Sequence, residues 1–169
     1  LLSKSVRSMA VDHAGAVWIG TAKGTNVLRE GAITVDSSKG RLKSNSIRAL
    51  YEDREGALWI ATNAELECRK AGSFTRYTAQ DGIAPDTVEC IYQDRGGTLW
   101  FGTNDGLYRF EHGKFVSEAV GGAFLHLAIL TIAEDREGSV WIGTLAGLTV
   151  ILSTPLPAPA LPLTVNVAT

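Results

Sequence analysis

The four Trp residues of this 169-residue chain are spaced at a constant interval of 41 residues. Each Trp follows an Asp by six positions and a Gly by three, and precedes a Thr by three. The aligned sets are Trp18, Trp59, Trp100 and Trp141; Asp12, Asp53, Asp94 and Asp135; Gly15, Gly56, Gly97 and Gly138; and Thr21, Thr62, Thr103 and Thr144. Since no insertion or deletion separates the copies, the chain is predicted to fold as four copies of one structural unit.

The pattern within one copy predicts four β-strands. In the second copy, apolar, β-branched and aromatic residues form short or alternating runs at 47–53, 57–62, 66–70 and 73–78. Connections of 3–5 residues are predicted inside the unit, and a longer one at about 78–87 leads to the next copy. No segment has a sustained apolar stripe of helical period, which disfavours helical solenoids. Four antiparallel strands repeated every 40–45 residues or so are typical of a β-propeller blade.

The repeated residues have structural interpretations in such a blade. The Asp-x-x-Gly segment predicts a tight hairpin turn, in which the carboxylate accepts backbone N–H groups and the Gly has a positive φ. The Trp side chain is expected to pack on the neighbouring blade, and the Thr to bond the turn that follows it. A Gly permits that turn at Gly24, Gly106 and Gly147, whereas the second copy has Glu65. These rows are therefore assigned to folding rather than to chemistry.

Composition narrows the classes of partner. The net charge of −2 gives no electrostatic reason to expect nucleic acid or an anionic membrane surface. No apolar run approaches the roughly 20 residues of a membrane-spanning helix. The chain starts at Leu1 without a signal-peptide pattern, so it is interpreted as a mature or excised piece. Cys68 and Cys90 fall at different places in the repeat, which excludes a repeated metal site and leaves open a disulfide or two free thiols.

The segment 88–110, VECIYQDRGGTLWFGTNDGLYRF, preceded by QDGIAPDT, resembles the two-component regulator propeller repeat. That repeat has the core D-x-x-G-x-(L/I)-W-(I/F)-G-T followed by x-x-G-L. Copies at 6–29, 47–70 and 129–152 are similar to it, so the resemblance covers about residues 1–152. The second copy departs from the pattern at two positions, because Ala61 replaces the core Gly and Glu65 replaces the turn Gly.

The resemblance implies a function as well as a fold. Such repeats usually form the extracytoplasmic sensor region of bacterial histidine kinases, hybrid two-component systems or diguanylate cyclases, and several lineages bind oligosaccharides. A complete region typically holds one or two seven-bladed propellers, often followed by a small β-sandwich. The resemblance therefore implies a periplasmic or extracytoplasmic, non-catalytic module that senses a small polar ligand.

The predicted organisation is an all-β propeller over residues 1–152, with blades at approximately 1–37, 47–78, 88–118 and 129–152. Because propellers usually close with about 4–8 blades, four units form a compact ring, an arc of a larger ring, or half of a ring completed by a second copy in a homodimer. Residues 153–169 contain four of the five prolines, which predicts an extended linker or tail, with a late strand at 163–167 as one alternative.

Candidate site residues lie where the copies differ. Ligands of propellers usually bind at the connections entering the innermost strands and at the turns between second and third strands. The corresponding connections are about 36–46, 77–87 and 117–128. The predicted ligand-binding residues are Arg7, Arg48 and Glu89 at the starts of the inner strands, where the fourth copy has Leu130, and Lys23, Asn63, Asn104 and Asp105 in the turns. Mixed charges and amides suit a polar ligand such as a sugar.

Two other functions stay open. The repeat also resembles that of streptogramin lyase, but there Thr-Glu tends to follow Trp-Phe, whereas this chain has Gly-Thr or Ala-Thr. That enzyme needs a catalytic His beside a magnesium site, and no candidate stands out among His13, His112 and His126. No catalytic set, metal site or cofactor is predicted. The third function is a scaffold that dimerises a receptor without binding a ligand.

Overall fold

The computed structural model describes residues 1–36, 42–84, 87–118 and 126–152. In these ranges the chain is all-β apart from one turn of 3-10 helix at Ala79–Asp81. Four antiparallel sheets follow one another along the chain, and they are the blades of a β-propeller. The predicted tail at 153–169, including the alternative strand at 163–167, lies outside the described residues.

Each sheet keeps its strands in chain order, with the first strand innermost. Blade 1 contains β1 (Val6–Val11), β2 (Val17–Thr21), β3 (Gly24–Arg29) and β4 (Ala32–Val35). Blade 2 contains β5 (Ile47–Glu52), β6 (Leu58–Thr62), β7 (Leu66–Lys70) and β8 (Ser73–Tyr77). Blade 3 contains β9 (Val88–Gln93), β10 (Leu99–Thr103), β11 (Gly106–Glu111) and β12 (Lys114–Ser117). Blade 4 contains β13 (Ile129–Glu134), β14 (Val140–Thr144) and β15 (Gly147–Ile151).

The four strands predicted in the second copy are confirmed, but two of the connections are shorter than predicted. The second and third strands are joined by two residues at 22–23, 104–105 and 145–146, and by three residues at 63–65. The third and fourth strands are joined by two residues rather than 3–5, at 30–31, 71–72 and 112–113. In blade 2, Ala71 has φ 49° and Gly72 has φ 80°. Two successive residues of positive φ form the hairpin turn whose twist matches that of the flanking strands.

The turn containing Glu65 forms in spite of the missing Gly. The Thr62 hydroxyl donates to the Glu65 carbonyl at 3.2 Å, as the Thr21 hydroxyl donates to the Gly24 carbonyl at 2.8 Å. The Glu65 side chain is buried, and its carboxylate accepts the Lys43 N–H at 2.5 Å. The predicted role of the Thr row therefore holds in this blade too.

Successive blades pack through two different faces of each sheet. We call the face toward the preceding blade the N-side face; in blade 2 it consists of Ile47, Leu50, Leu58 and Ile60, which form one buried cluster with Ala10 and Trp18 of blade 1. We call the opposite one the C-side face; in blade 2 it includes Ala49, Trp59, Ala61 and Leu66, which pack with Ile91 and Phe101 of blade 3. The predicted packing of Trp on the next blade is confirmed here.

Small and branched residues are matched across these interfaces. A Cβ added to Gly20 on the C-side face of blade 1 would lie 2.5 Å from Ile47 Cγ2, and one added to Gly102 would lie 2.6 Å from Ile129 Cγ2. Where Ala61 occupies the same position in blade 2, blade 3 has the smaller Val88, and both are fully buried in one cluster. The additional methyl group of Ala61 is therefore accommodated because its neighbour is Val88, which has one methylene fewer than Ile.

This matching predicts coupling between two substitutions. Gly20→Ala alone is expected to destabilise the protein by about 1–3 kcal/mol through overpacking, and Ile47→Val alone by about 0.5–1.5 kcal/mol. The double variant copies the Ala61 and Val88 pair, so its loss should be smaller than the sum of the single losses by about 1 kcal/mol. Urea denaturation of the four proteins measures the coupling, and strictly additive losses would contradict the matching.

Candidate functional site

Each innermost strand begins with a β-bulge at the same repeat position. The pairing with the second strand shifts between Val6 and Ser8 in β1, and at the corresponding places in β5, β9 and β13. The residues that the ladder skips are Arg7, Arg48, Glu89 and Leu130. A bulge leaves its extra residue unpaired and re-aims the side chain. The inner-strand candidates from the sequence therefore share one distinctive backbone position.

The bulges of blades 2 and 3 bring three of the predicted residues together. The Arg48 guanidinium donates through Nη1 to a Glu89 carboxylate oxygen and through Nε to Asn63 Oδ1 at 2.7 Å. The side chains of Arg48 and Glu89 are each about one quarter exposed, at 26% and 24%. We call Arg48, Asn63 and Glu89 the Arg48 cluster. It presents a cation, an anion and an amide within one partly hydrated contact.

The other predicted residues lie outside the Arg48 cluster. Asp105 pairs with His126, with 2.7 Å between Oδ1 and Nδ1, and both side chains are well exposed. The Asn104 backbone N–H donates to the Thr87 carbonyl at 3.1 Å, and the Lys23 N–H to Thr21 Oγ1 at 3.1 Å. Arg7 is exposed at the bulge of β1.

Sequence reasoning missed His126 as a neighbour of Asp105. The two residues are separated by a connection of which 119–125 lie outside the described residues, and no spacing rule links them. The candidates nevertheless have an ordered charge distribution by blade, because blade 1 contributes Arg7 and Lys23 whereas blade 3 contributes Glu89 and Asp105. Among these candidates, the charged side chains of blade 1 are therefore basic and those of blade 3 are acidic.

The opposite face of the propeller carries the Asp turns. In all four copies the Trp indole N–H donates to the turn Asp, at 2.7–2.9 Å. In blade 2 the other oxygen of Asp53 accepts the N–H groups of Glu55 and Ala57, at 3.0 and 2.9 Å. The predicted structural role of the Asp row is confirmed, whereas the bond to Trp was missed. Its signal in the sequence is the constant spacing of six residues between the two.

The contacts of Asp12 and Asp135 affect the pKa of each carboxyl group. Burial of Asp12 opposes its ionisation, but the hydrogen bonds from the Trp18 indole and two backbone N–H groups outweigh it and hold the pKa below its ordinary value. The Trp141 indole does the same for Asp135, with the cost of burial opposing it, and that pKa is also lowered. Carboxylates held ionised by fold contacts are unsuited to act as general acids near neutral pH.

A cleft of about 370 Å³ opens on this Asp-turn face between blades 2 and 3. Its lining includes Trp59, Cys68, Lys70, Tyr77 and Gln93. Burial raises the pKa of Tyr77 to about 12 and that of Cys68 to about 11, so both stay protonated at neutral pH. The cleft offers no activated nucleophile from these two groups.

A second cleft, of about 410 Å³, lies on the equivalent surface of blade 1 and is lined by Trp18, Val27 and Arg29. Recurrence in two blades indicates that such clefts arise from blade geometry, so they are weaker candidates for a dedicated site than the Arg48 cluster.

The state of the two cysteines was left open by the sequence. Both are free thiols in the structure, and burial raises the pKa of Cys90 to about 12.

Across residues 1–36, 42–84, 87–118 and 126–152, no group of three or more His, Cys, Asp or Glu side chains is arranged to hold a metal ion. Among the helices in those same ranges, none has the length and apolar character needed to cross a membrane.

The repeated blade and its Asp–Trp turns define the class of protein as a β-propeller built of equal units. The family described as the two component regulator propeller matches residues 1–23, 41–64, 82–105 and 124–146, together more than half of the chain. The chain belongs to the two-component regulator propeller family. A comparison with curated proteins finds no match.

Solved structures share the fold. Two extracellular domains assigned to hybrid two-component systems of B. thetaiotaomicron superpose with TM-scores of 0.71 and 0.69, at 23% and 22% identity. They cover 88% and 90% of this chain, which spans 22% of each of them. A catalytically inactive virginiamycin B lyase from Staphylococcus aureus superposes with a TM-score of 0.63 at 20% identity, over 91% of this chain and 57% of the lyase. These likenesses extend to the fold alone.

Proposed function

We propose that this chain is a ligand-binding module of a bacterial signal-transduction receptor, that it is not an enzyme, and that its ligand is small and polar, of the oligosaccharide class. Membership of the two-component regulator propeller family supports a sensing role. The similar solved structures that are extracellular domains of two-component systems support an extracytoplasmic location.

The observation that carries the proposal is the bulge that presents Arg48 beside Glu89. The repeat conserves the backbone geometry of this position in every blade, while the side chain changes from Arg to Glu to Leu. A position with uniform backbone and varied chemistry gives each blade a different contact without altering the fold. This combination suits recognition, for which loops and bulges on a rigid scaffold are the usual means.

The chemistry of the Arg48 cluster suits hydroxyl groups. A guanidinium donates several N–H groups in a fixed plane, a carboxylate accepts two or more, and an amide does both. The vicinal hydroxyls of a sugar act both as donors and as acceptors. Sugar hydroxyls can therefore donate to the Glu89 carboxylate and accept from the Arg48 guanidinium at the same time. Each charge keeps a hydrogen-bond partner, which limits the desolvation cost of binding.

Calorimetric titration tests the proposal, with a panel of neutral, uronate-containing and sulfated oligosaccharides as probes. Arg48→Ala removes the guanidinium that would donate charge-assisted hydrogen bonds to the ligand hydroxyls, so it should weaken binding of the best oligosaccharide by about 10- to 100-fold. Lys70→Ala is the matched control, because Lys70 is an exposed cation on the opposite face, paired with Glu55; it should leave affinity within about twofold.

Binding that is equally strong in the Arg48→Ala protein would move the site elsewhere. Absence of binding across the whole panel would contradict an oligosaccharide ligand and favour the scaffold function. The lyase alternative is tested separately, by incubating the protein with quinupristin and Mg²⁺ and examining the product mass. Cleavage of quinupristin would contradict the non-catalytic part of the proposal.

A further inference from the structure

The N-side face of blade 1 and the C-side face of blade 4 are the two end faces of the propeller. Both are exposed, although their residue types match those of the buried interfaces between blades. On the N-side face, one repeat position holds Met9, Leu50, Ile91 and Ile132, with exposures of 66%, 5%, 8% and 8%. A second position holds Val6 at 43% and Ile47, Val88 and Ile129 at 0%. The side chains are apolar in all four blades, so the difference arises because no blade formed by the described residues covers this face of blade 1.

The C-side face of blade 4 has the same property. Leu148 is 37% exposed, whereas Leu66 and Leu107 at the same repeat position are fully buried. Blade 4 therefore presents the surface that receives a following blade elsewhere in the chain.

The two end faces are also complementary in shape. Gly143 continues the row of Gly20, Ala61 and Gly102, and among the described residues a Cβ added to it would meet only Thr131 of its own blade within 4 Å. In the interfaces within the chain, a Gly or Ala of this row receives an Ile or Val from the next blade. Val6 holds that Ile or Val position in blade 1. The space over Gly143 is thus of the size and character that Val6 fills.

We propose that a second copy of this chain covers these faces, with the C-side face of blade 4 of one copy packed on the N-side face of blade 1 of the other. Two such contacts, made reciprocally, close a ring of eight blades, which lies within the range of about 4–8 seen in propellers. The contact is head-to-tail, because it joins two different faces rather than two copies of one face. It does not depend on the ligand.

One difference makes this contact weaker than those inside the chain. Within the chain, the N–H groups of His13, Arg54 and Arg95 donate to side chains of the next blade, namely Glu52, Gln93 and Glu134, at 2.9–3.0 Å. The corresponding residue of blade 1 is Val11, which has no acceptor in its side chain. The joint between copies therefore lacks one hydrogen bond per contact, and we expect an association that reverses on dilution.

Light scattering after size exclusion, over a range of concentrations, tests the proposal. The wild-type protein should reach twice the single-chain mass of 18.0 kDa at high concentration. Met9→Glu and Leu148→Glu each place a charge on one end face and should each give a monomer. Ile33→Glu is the control, since Ile33 is a comparably exposed apolar residue, 50% exposed on the outer strand of blade 1, and should leave the dimer intact.

An equimolar mixture of the Met9→Glu and Leu148→Glu proteins tests the orientation. The first keeps an intact blade 4 face and the second an intact blade 1 face, so the mixture should dimerise through one head-to-tail contact, at a higher concentration than the wild-type protein because the second contact is blocked. A recovered dimer also shows that both variants are folded. A wild-type protein that stays monomeric at every concentration would overturn the proposal, and would leave the end faces to other blades of the same polypeptide. A Leu148→Glu protein that dimerises alone, or a mixture that stays monomeric, would overturn it too.

Discussion

Replacing Trp59 with alanine is expected to lower the free energy of unfolding by about 3–5 kcal/mol, a large share of what a domain of this size has. Trp59 is 2% exposed and lies at the centre of an aromatic cluster. Its ring stacks on Tyr77 at 5.3 Å and contacts Phe101 and Phe110 edge-on at 5.1 and 5.0 Å. Alanine removes all of these contacts and leaves a cavity that the surrounding strands cannot close. Chemical denaturation monitored by circular dichroism measures the loss.

Trp141→Ala is the matched control. Trp141 donates to Asp135 at 2.7 Å as Trp59 donates to Asp53 at 2.9 Å, so both variants lose the same hydrogen bond. Trp141 is only half-buried on the end face of blade 4, and its removal should cost less than half as much. Both variants are best compared at low protein concentration, where any contact between copies is absent. Equal losses at the two positions would show that packing on the next blade is not the main role of the Trp row.

Asp53→Ala is expected to destabilise the protein by about 3 kcal/mol or more, because it leaves three donors without an acceptor and two of these hydrogen bonds are buried. Those donors are the N–H groups of Glu55 and Ala57 and the indole N–H of Trp59. Asp53→Asn keeps one oxygen for the backbone donors but turns an amide N–H₂ group toward the indole, so its loss should be intermediate. The same denaturation measurement ranks the three proteins.

Asp135→Ala provides the control for this second prediction. Asp135 accepts the equivalent three bonds, at 3.0, 2.9 and 2.7 Å, but it lies in the less buried turn of blade 4. Water can replace the lost acceptor there, so a loss of about 1 kcal/mol is expected. A loss at position 135 as large as that at position 53 would contradict the assumption that burial of the donors sets the cost.

Local rules predicted the blade well. The hairpin turn at Asp53 and Gly56 depends on residues within a few positions of each other, and so does the alternation of the strands, so the sequence carries the whole signal. The length of the two-residue turn at Ala71 and Gly72 was not predicted. Alanine rarely adopts a positive φ, so only Gly72 marks this turn in the sequence. The bond between Trp and Asp was missed because it joins the hairpin turn to a side chain further along the second strand.

The site was predictable only in part. Reasoning from variation among the copies selected Arg48, Asn63 and Glu89 as separate candidates, and the fold joins them, although Arg48 and Glu89 are 41 residues apart. Arg7 was selected on the same grounds and lies outside that cluster. No local rule separates Arg7 from Arg48, because the possible partner of each lies at the same repeat position of the next blade. For Arg48 that residue is Glu89, whereas for Arg7 it is Arg48, a second cation.

By itself the sequence determined the repeat, the strand order within a blade and the structural role of the Asp and Thr rows, because each depends on contacts inside one copy of the period. Only the tertiary structure decided which apolar residues are covered. Met9 and Leu50 hold the same repeat position with similar side chains, yet one is exposed and the other buried. The physical reason is that burial on a blade face requires a pair of blades, and within the described residues the first and the last blade each pack against a single blade.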